Sequence, residues 1–216
     1  MKSKFYAILA NTLRSKIYLD YLIKKNLLPL KLIFLDDKKK NYLKKFLKKK
    51  NLNIKYFKTK NINNKKLNNY LINLKERYFL YSGYPGQIIK NKNLLSKKKF
   101  LHAHPGKLPE YKGSTTLFYS ILKLNKVYCS SIILNNRIDG GKILNIKKFK
   151  LKANQFSKLG EYDAKIRILT LYDVLSNLNI RIFNNGIANN STAKKTYNHY
   201  FIAHPIIRYL ARRKIY

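Results

Sequence analysis

Over its first hundred residues the chain alternates short apolar runs with stretches of about a dozen residues whose apolar positions recur at helical spacing. No other feature restricts the fold as much. KFYAILA (residues 4–10), LKLIFLDD (30–37), LNIKYFK (52–58), YFLYSGY (78–84) and KKFLHAH (98–104) read as strands. Between them, NTLRSKIYLDYLIKKNLLP sets Ile17, Tyr18, Tyr21 and Leu22 at helical spacing, with Asn11 or Thr12 as the cap. Residues 38–50 predict a second, amphipathic helix through Tyr42, Leu43, Phe46 and Leu47, and KKLNNYLINLKER a third. Strands alternating with helices predict a doubly wound α/β fold, a mostly parallel sheet flanked by helices. Ligands of such sheets bind at the carboxyl ends of the strands, so chemistry is expected in the loops after Ala10, Tyr84 and Ala103. Further on, STTLFYSILKLN reads as a helix capped by Ser114 or Thr115, VYCSSIIL and KILNIKKFKL as strands, and 160–180 as a long helix. The last forty residues, rich in Asn and Lys, show weak periodicity. With no internal repeat and no linker, residues 1–216 are expected to form a single domain with a variable C-terminal extension from about 160.

Charge is the second constraint. Lys and Arg number 47 against nine Asp and Glu, a net charge of +38. Such a field attracts polyanions, whether nucleic acid or an anionic membrane. Most of it is lysine, however, spread along the chain among abundant Asn, Ile, Tyr and Phe, which is the signature of compositional drift in an AT-rich coding sequence. Nucleic-acid binding is therefore only weakly supported, and each of the nine carboxylates becomes informative where it sits beside a motif. The apolar share of 45% suits an ordinary core. No apolar run approaches the ~18 residues of a membrane span. The opening MKSKFYAILANTLRSK lacks the features of a signal peptide, and a single cysteine, Cys129, excludes an internal disulfide. A cytoplasmic protein is expected, of unassigned oligomeric state.

The first strand–helix turn, ALANTLRSK, has no glycine fingerprint for a pyrophosphate, and no Walker-type loop occurs, which argues against a dehydrogenase or an ATPase. Three other stretches fall at the expected ligand edge: SGYPGQII (82–89), HAHPGKLPEYKGSTT (102–116) and RIDGGKIL (137–144). His102 and His104, one residue apart in an extended segment, point to the same side of the chain. Histidine with a carboxylate such as Asp139 suits acid–base chemistry near neutral pH. Gly140 and Gly141 predict a tight turn. A His-x-His with a distant Asp also matches a metal site.

HAHPGKLPEYKG, followed about 35 residues after His104 by RIDGGKIL, resembles the formyltetrahydrofolate-dependent formyltransferases, whose pattern is Asn-x-His-Pro-Ser-x-Leu-Pro-x-Tyr-x-Gly with a later Asp-x-Gly. The resemblance is strongest over residues 80–145. It implies a formyltransferase-like Rossmann-type domain, no metal, and N10-formyltetrahydrofolate as the formyl donor. It implies that His104 stands next to the formyl carbon and the attacking amine, that Asp139 orients it, and that the loop of Tyr84, Pro85, Gly86 and Ile88 reads the pterin mainly through its backbone. His102 stands where most of the family has the asparagine that donates to the developing oxyanion, and an imidazole N–H can replace that donor. The chain shows neither the C-terminal β-barrel of methionyl-tRNA formyltransferase nor the glycine-rich first loop of glycinamide ribonucleotide transformylase. By elimination a small amine acceptor is expected, a nucleotide-linked amino sugar. The alternatives are a catalytically silent basic relative that binds nucleic acid or membrane, and a methionyl-tRNA formyltransferase-like enzyme.

Overall fold

The computed structural model describes residues 4–36, 43, 46–47, 52–150, 158–178 and 199–215. The chain divides into two compact units, Met1–His102 with Leu134–Asn136, and Ala103–Ile133 with Arg137–Tyr216.

The first unit is built from β1 (Phe5–Ala10), α1 (Leu13–Lys24), β2 (Leu32–Leu35), β3 (Ile54–Phe57), α2 (Lys65–Asn73), β4 (Tyr78–Ser82), α3 (Lys92–Lys97) and the start of β5 (Lys99–His104). The strands pair in parallel, β3 to β2, β2 to β1, β1 to β4 and β4 to β5. The apolar runs dictate this arrangement: β1 and β2 are buried along their whole length, as strands covered on both faces must be. Each helix starts on a side-chain cap. Thr12 accepts from the Ser15 N–H, Asn64 from Leu67 and Asn91 from Leu94, and each such cap stabilises its helix by about 1 kcal/mol. Ile8, Ile33, Leu67, Leu71, Phe79 and Phe100 lie in one buried cluster, with the rings of Phe79 and Phe100 stacked at 5.3 Å. Burying a side chain of this size stabilises the fold by roughly 1.5–3 kcal/mol. Of the helix expected over 38–50 only Leu43, Phe46 and Leu47 are described, and the rest lies outside the described residues; both leucines are buried.

The second unit holds the end of β5, β6 (Lys112–Gly113), α4 (Thr116–Leu124), β7 (Val127–Ile133), β8 (Lys142–Phe149), α5 (Leu159–Ser176), β9 (His199–Tyr200) and α6 (Pro205–Arg213). β7 and β8 pair antiparallel, and β6 pairs in parallel with β9. The α/β class and the mostly parallel pairing agree with the expectation from sequence. Three details differ. Thr115 does precede α4, but at φ 53° and without capping it; its hydroxyl instead donates to the Phe201 carbonyl and accepts from the Ala203 N–H. α3 and the two-residue strands β6 and β9 were too short to carry a readable period. α6 lies in the tail that read as weakly periodic, with His204 as its N-cap and Pro205 opening its first turn.

Cys129, on β7, has no exposed surface, and burial pushes its thiol pKa up to about 12. We expect it to resist a disulfide-exchange reagent at neutral pH until denaturant is added; fast labelling of the folded protein would contradict its place in the core. Among the described residues no helix is long and apolar enough to cross a membrane.

Candidate active site

In the second unit β5 ends at His104, which is only 3% exposed. α5 supports the strand end: Arg167 donates to the Ala103 carbonyl at 2.7 Å while its Nε is held by Asp163. The loop that follows is anchored on β7 by Ser130, which donates to the Gly106 carbonyl and accepts from the Leu108 N–H. Gly106 is required there. A Cβ would sit 2.8 Å from the Tyr111 carbonyl oxygen and 2.9 Å from His104 Nε2.

The imidazole has partners on both nitrogens. Nε2 lies 2.6 Å from the Tyr111 carbonyl oxygen and 3.2 Å from Thr116 Oγ1, and Nδ1 lies 3.2 Å from Asp139 Oδ1. A carbonyl only accepts, so Nε2 carries a hydrogen. Thr116 donates its own hydroxyl hydrogen to the Pro105 carbonyl at 2.7 Å, which leaves its lone pairs toward the ring. The contact between Nδ1 and Oδ1 then requires a second proton, on the ring or on the carboxyl. The Gly113 N–H donates to Asp139 Oδ2 at 2.9 Å, and the Lys112 ammonium lies close enough to interact with the same carboxylate. Both contacts suit the ionised form of the Asp139 carboxyl. Removing one proton sets two lone pairs face to face across the same gap. The contact between the two groups therefore depends on a shared proton.

Asp139 reaches this position at φ 46°, in the left-handed region that aspartate tolerates better than most side chains. The turn expected at Gly140 and Gly141 is present, with the Gly140 N–H donating to the Arg137 carbonyl, but the positive φ falls on the aspartate. Thr116, Gly113 and the Tyr111 carbonyl were not singled out from sequence. A backbone oxygen has no residue signature, and the GSTT run read simply as a helix start.

The first unit holds the other sequence-predicted residues. His102 Nδ1 lies 3.3 Å from the Tyr81 carbonyl oxygen, and the His102 and Tyr81 rings are 6.1 Å apart. Because that oxygen can only accept, Nδ1 carries the hydrogen in the neutral ring, and Nε2 becomes a donor only when the ring is protonated. In the loop after β4, the Tyr84 hydroxyl donates to the Leu35 carbonyl at 3.2 Å, so its side chain braces strand ends. Pro85 and Gly86 are exposed, Gly86 at φ 75° with open space where a Cβ would stand. A reciprocal clasp holds the rest of the loop. The Gln87 side chain accepts from the Ile62 N–H and donates to the Lys60 carbonyl, while Asn63 donates to the Ile88 carbonyl and accepts from the Lys90 N–H. Neither Gln87 nor Asn63 was visible as a functional position in so asparagine-rich a sequence. The structure thus joins His104 to Asp139 and gives His102 and Tyr84 other partners.

No protein-family model matches the chain, and no curated protein matches it in sequence. Solved structures do. The chain is similar to a sugar N-formyltransferase from Shewanella sp. FDAARGOS_354, with 17% identity, 92% of this chain and 76% of that one covered, and a TM-score of 0.62. It is similar to phosphoribosylglycinamide formyltransferase from Bacillus halodurans, at 16% identity, 83% and 100% coverage and a TM-score of 0.60. It is also similar to an N-formyltransferase from Helicobacter canadensis in complex with folinic acid and dTDP-3-aminofucose, at 18% identity, 93% and 71% coverage and a TM-score of 0.55. At these identities the likeness is one of architecture: the chain has the formyltransferase fold.

Proposed function

We propose that the protein transfers a formyl group from N10-formyltetrahydrofolate to the amine of a small acceptor, a nucleotide-linked amino sugar. The observation that carries this reading is the contact of buried His104 with the carboxylate of Asp139. The amine must lose a proton as its bond to the formyl carbon forms and the donor's bond to that carbon breaks. His104 takes up the amine's proton and returns it to the departing N10 of the donor, and Asp139 stabilises the imidazolium formed in between. His102, when protonated, offers an N–H to negative charge developing on the formyl oxygen. The donor supplies the electrophilic carbon. Its pterin suits the exposed backbone at Pro85 and Gly86, in a loop stiffened by Gln87 and Asn63 beside Ile88. Tyr84 braces that loop through its hydroxyl. The acceptor class draws support from the named sugar N-formyltransferases and from the dTDP-3-aminofucose bound to the Helicobacter protein.

Isothermal titration with a stable N10-formyltetrahydrofolate analogue tests the donor. Saturable binding is expected for the wild type, with His104→Ala retaining most of the affinity because the pterin contacts lie elsewhere. A folded protein that takes up no analogue at millimolar concentration would remove the enzyme reading. Nucleotide-linked amino sugars, free amino sugars and methionyl-tRNA, offered in turn as acceptors, then separate the acceptor classes.

A further inference from the structure

Among the described residues nine large hydrophobic side chains are exposed, and five of them lie within ten residues: Phe201, Ile202, Ile206, Tyr209 and Leu210. Phe201 is 82% exposed and Ile202 70%. At ~100° per residue, Ile206, Tyr209, Leu210 and Arg213 share one face of α6. The opposite face carries buried Ala211 and Arg208, whose guanidinium donates to the Ala203 carbonyl and lies over the Phe118 ring, and Ile215, just past the helix end, is also buried. Arg212 flanks the apolar stripe, and Lys214, which caps the helix, donates to the Leu122 carbonyl.

The charge here differs from that of the rest of the chain. Compositional drift explains scattered lysine, yet three of the chain's eight arginines, at 208, 212 and 213, fall within six residues. No Asp or Glu follows Asp173. Lone exposed apolar residues need no explanation, but a contiguous patch rimmed by charge of one sign marks a contact surface.

We propose that α6 and the preceding Phe201–Ile202 segment form an attachment surface for anionic lipid. An interfacial helix presents an apolar stripe to the acyl boundary and cations along its edges to the headgroups, and α6 has that distribution. A second copy of the chain fits poorly. Self-association of this face would bring together the arginines of two molecules that each carry +38. Nucleic acid is the competing occupant, since Phe201 and Tyr209 carry rings on which bases stack; Ile202, Ile206 and Leu210, which share the patch, neither pair with phosphate nor stack on bases and favour lipid.

The test is co-sedimentation of the full chain with phosphatidylcholine vesicles that contain phosphatidylglycerol and with pure phosphatidylcholine vesicles. The wild type is expected to bind the anionic vesicles. Ile206→Asp with Leu210→Asp, and separately Arg212→Glu with Arg213→Glu, are each expected to weaken that binding about tenfold or more. All four side chains are exposed, so an unchanged unfolding temperature accompanies the loss. The apolar pair is decisive, since binding through the general lysine field would survive it. The proposal is overturned by absence of wild-type binding, or by an apolar variant that binds like the wild type. It is equally overturned if the same substitutions dissociate a dimer in light scattering, or abolish binding to single-stranded RNA instead.

Discussion

Alanine at position 104 is expected to lower kcat for formyl transfer by ~10²–10⁴-fold, the usual contribution of a positioned acid–base group. On the proposed reading the loss falls on kcat rather than on donor affinity, because His104 is there given the amine's proton while the 82–89 loop is held separately by Gln87 and Asn63. Asp139→Asn makes the sharper experiment. The Gly113 N–H points at Oδ2, so an asparagine there must turn its oxygen to Gly113 and its NH₂ to His104. Nδ1 then becomes an obligatory acceptor, Nε2 keeps its hydrogen for the Tyr111 carbonyl, and the pair is frozen in its one-proton form. We expect kcat to fall ~10²-fold or more while the unfolding temperature changes little. Wild-type kcat in Asp139→Asn would show that no proton passes through this pair.

How far the sequence alone leads is clearest from β1, β4 and β5. Their apolar runs were long enough to be read as buried strands, and the observed strands fall within the expected stretches. Nine of the fourteen expected strand ends came out one or two residues shorter, because hydrogen-bonded ladders stop where the chain turns and apolar character does not. His104 and Asp139 could be named because histidine and carboxylate are scarce here; a Lys or an Asn in either role would have been lost in the background. What stayed hidden has no local signature. The acceptor for His104 Nε2 is a backbone oxygen seven residues away, and the clasp on the SGYPGQII loop comes from Asn63. The contribution of the C-terminal tail depends on a two-residue strand pairing that no periodicity can reveal.

That tail is the basis of the second large effect, at Gly113. The residue sits at φ 103°, and a Cβ there would stand 2.2 Å from the Tyr200 carbonyl oxygen and 3.0 Å from the Tyr200 nitrogen. Neither atom can yield without breaking the pairing of β6 with β9, so Gly113→Ala meets both backbone strain and a clash. We expect a destabilisation of about 3 kcal/mol, seen as a fall of roughly 6–12 °C in Tm. Activity should fall further than stability accounts for. The same residue supplies the N–H that holds Asp139 Oδ2, and Tyr200 stacks on Tyr111, whose carbonyl holds His104, with ring centroids 5.1 Å apart and planes within 1°. Tyr200→Ala removes that stack without adding a Cβ to residue 113. If the tail positions the histidine, Tyr200→Ala loses kcat even at temperatures where it is fully folded, and Tyr200→Phe, which keeps the ring, restores it. If all three variants lose Tm but keep wild-type kcat when folded, β9 acts only as a strap on the loop, and the His104–Asp139 geometry is set by Thr116 and the Gly106 turn alone.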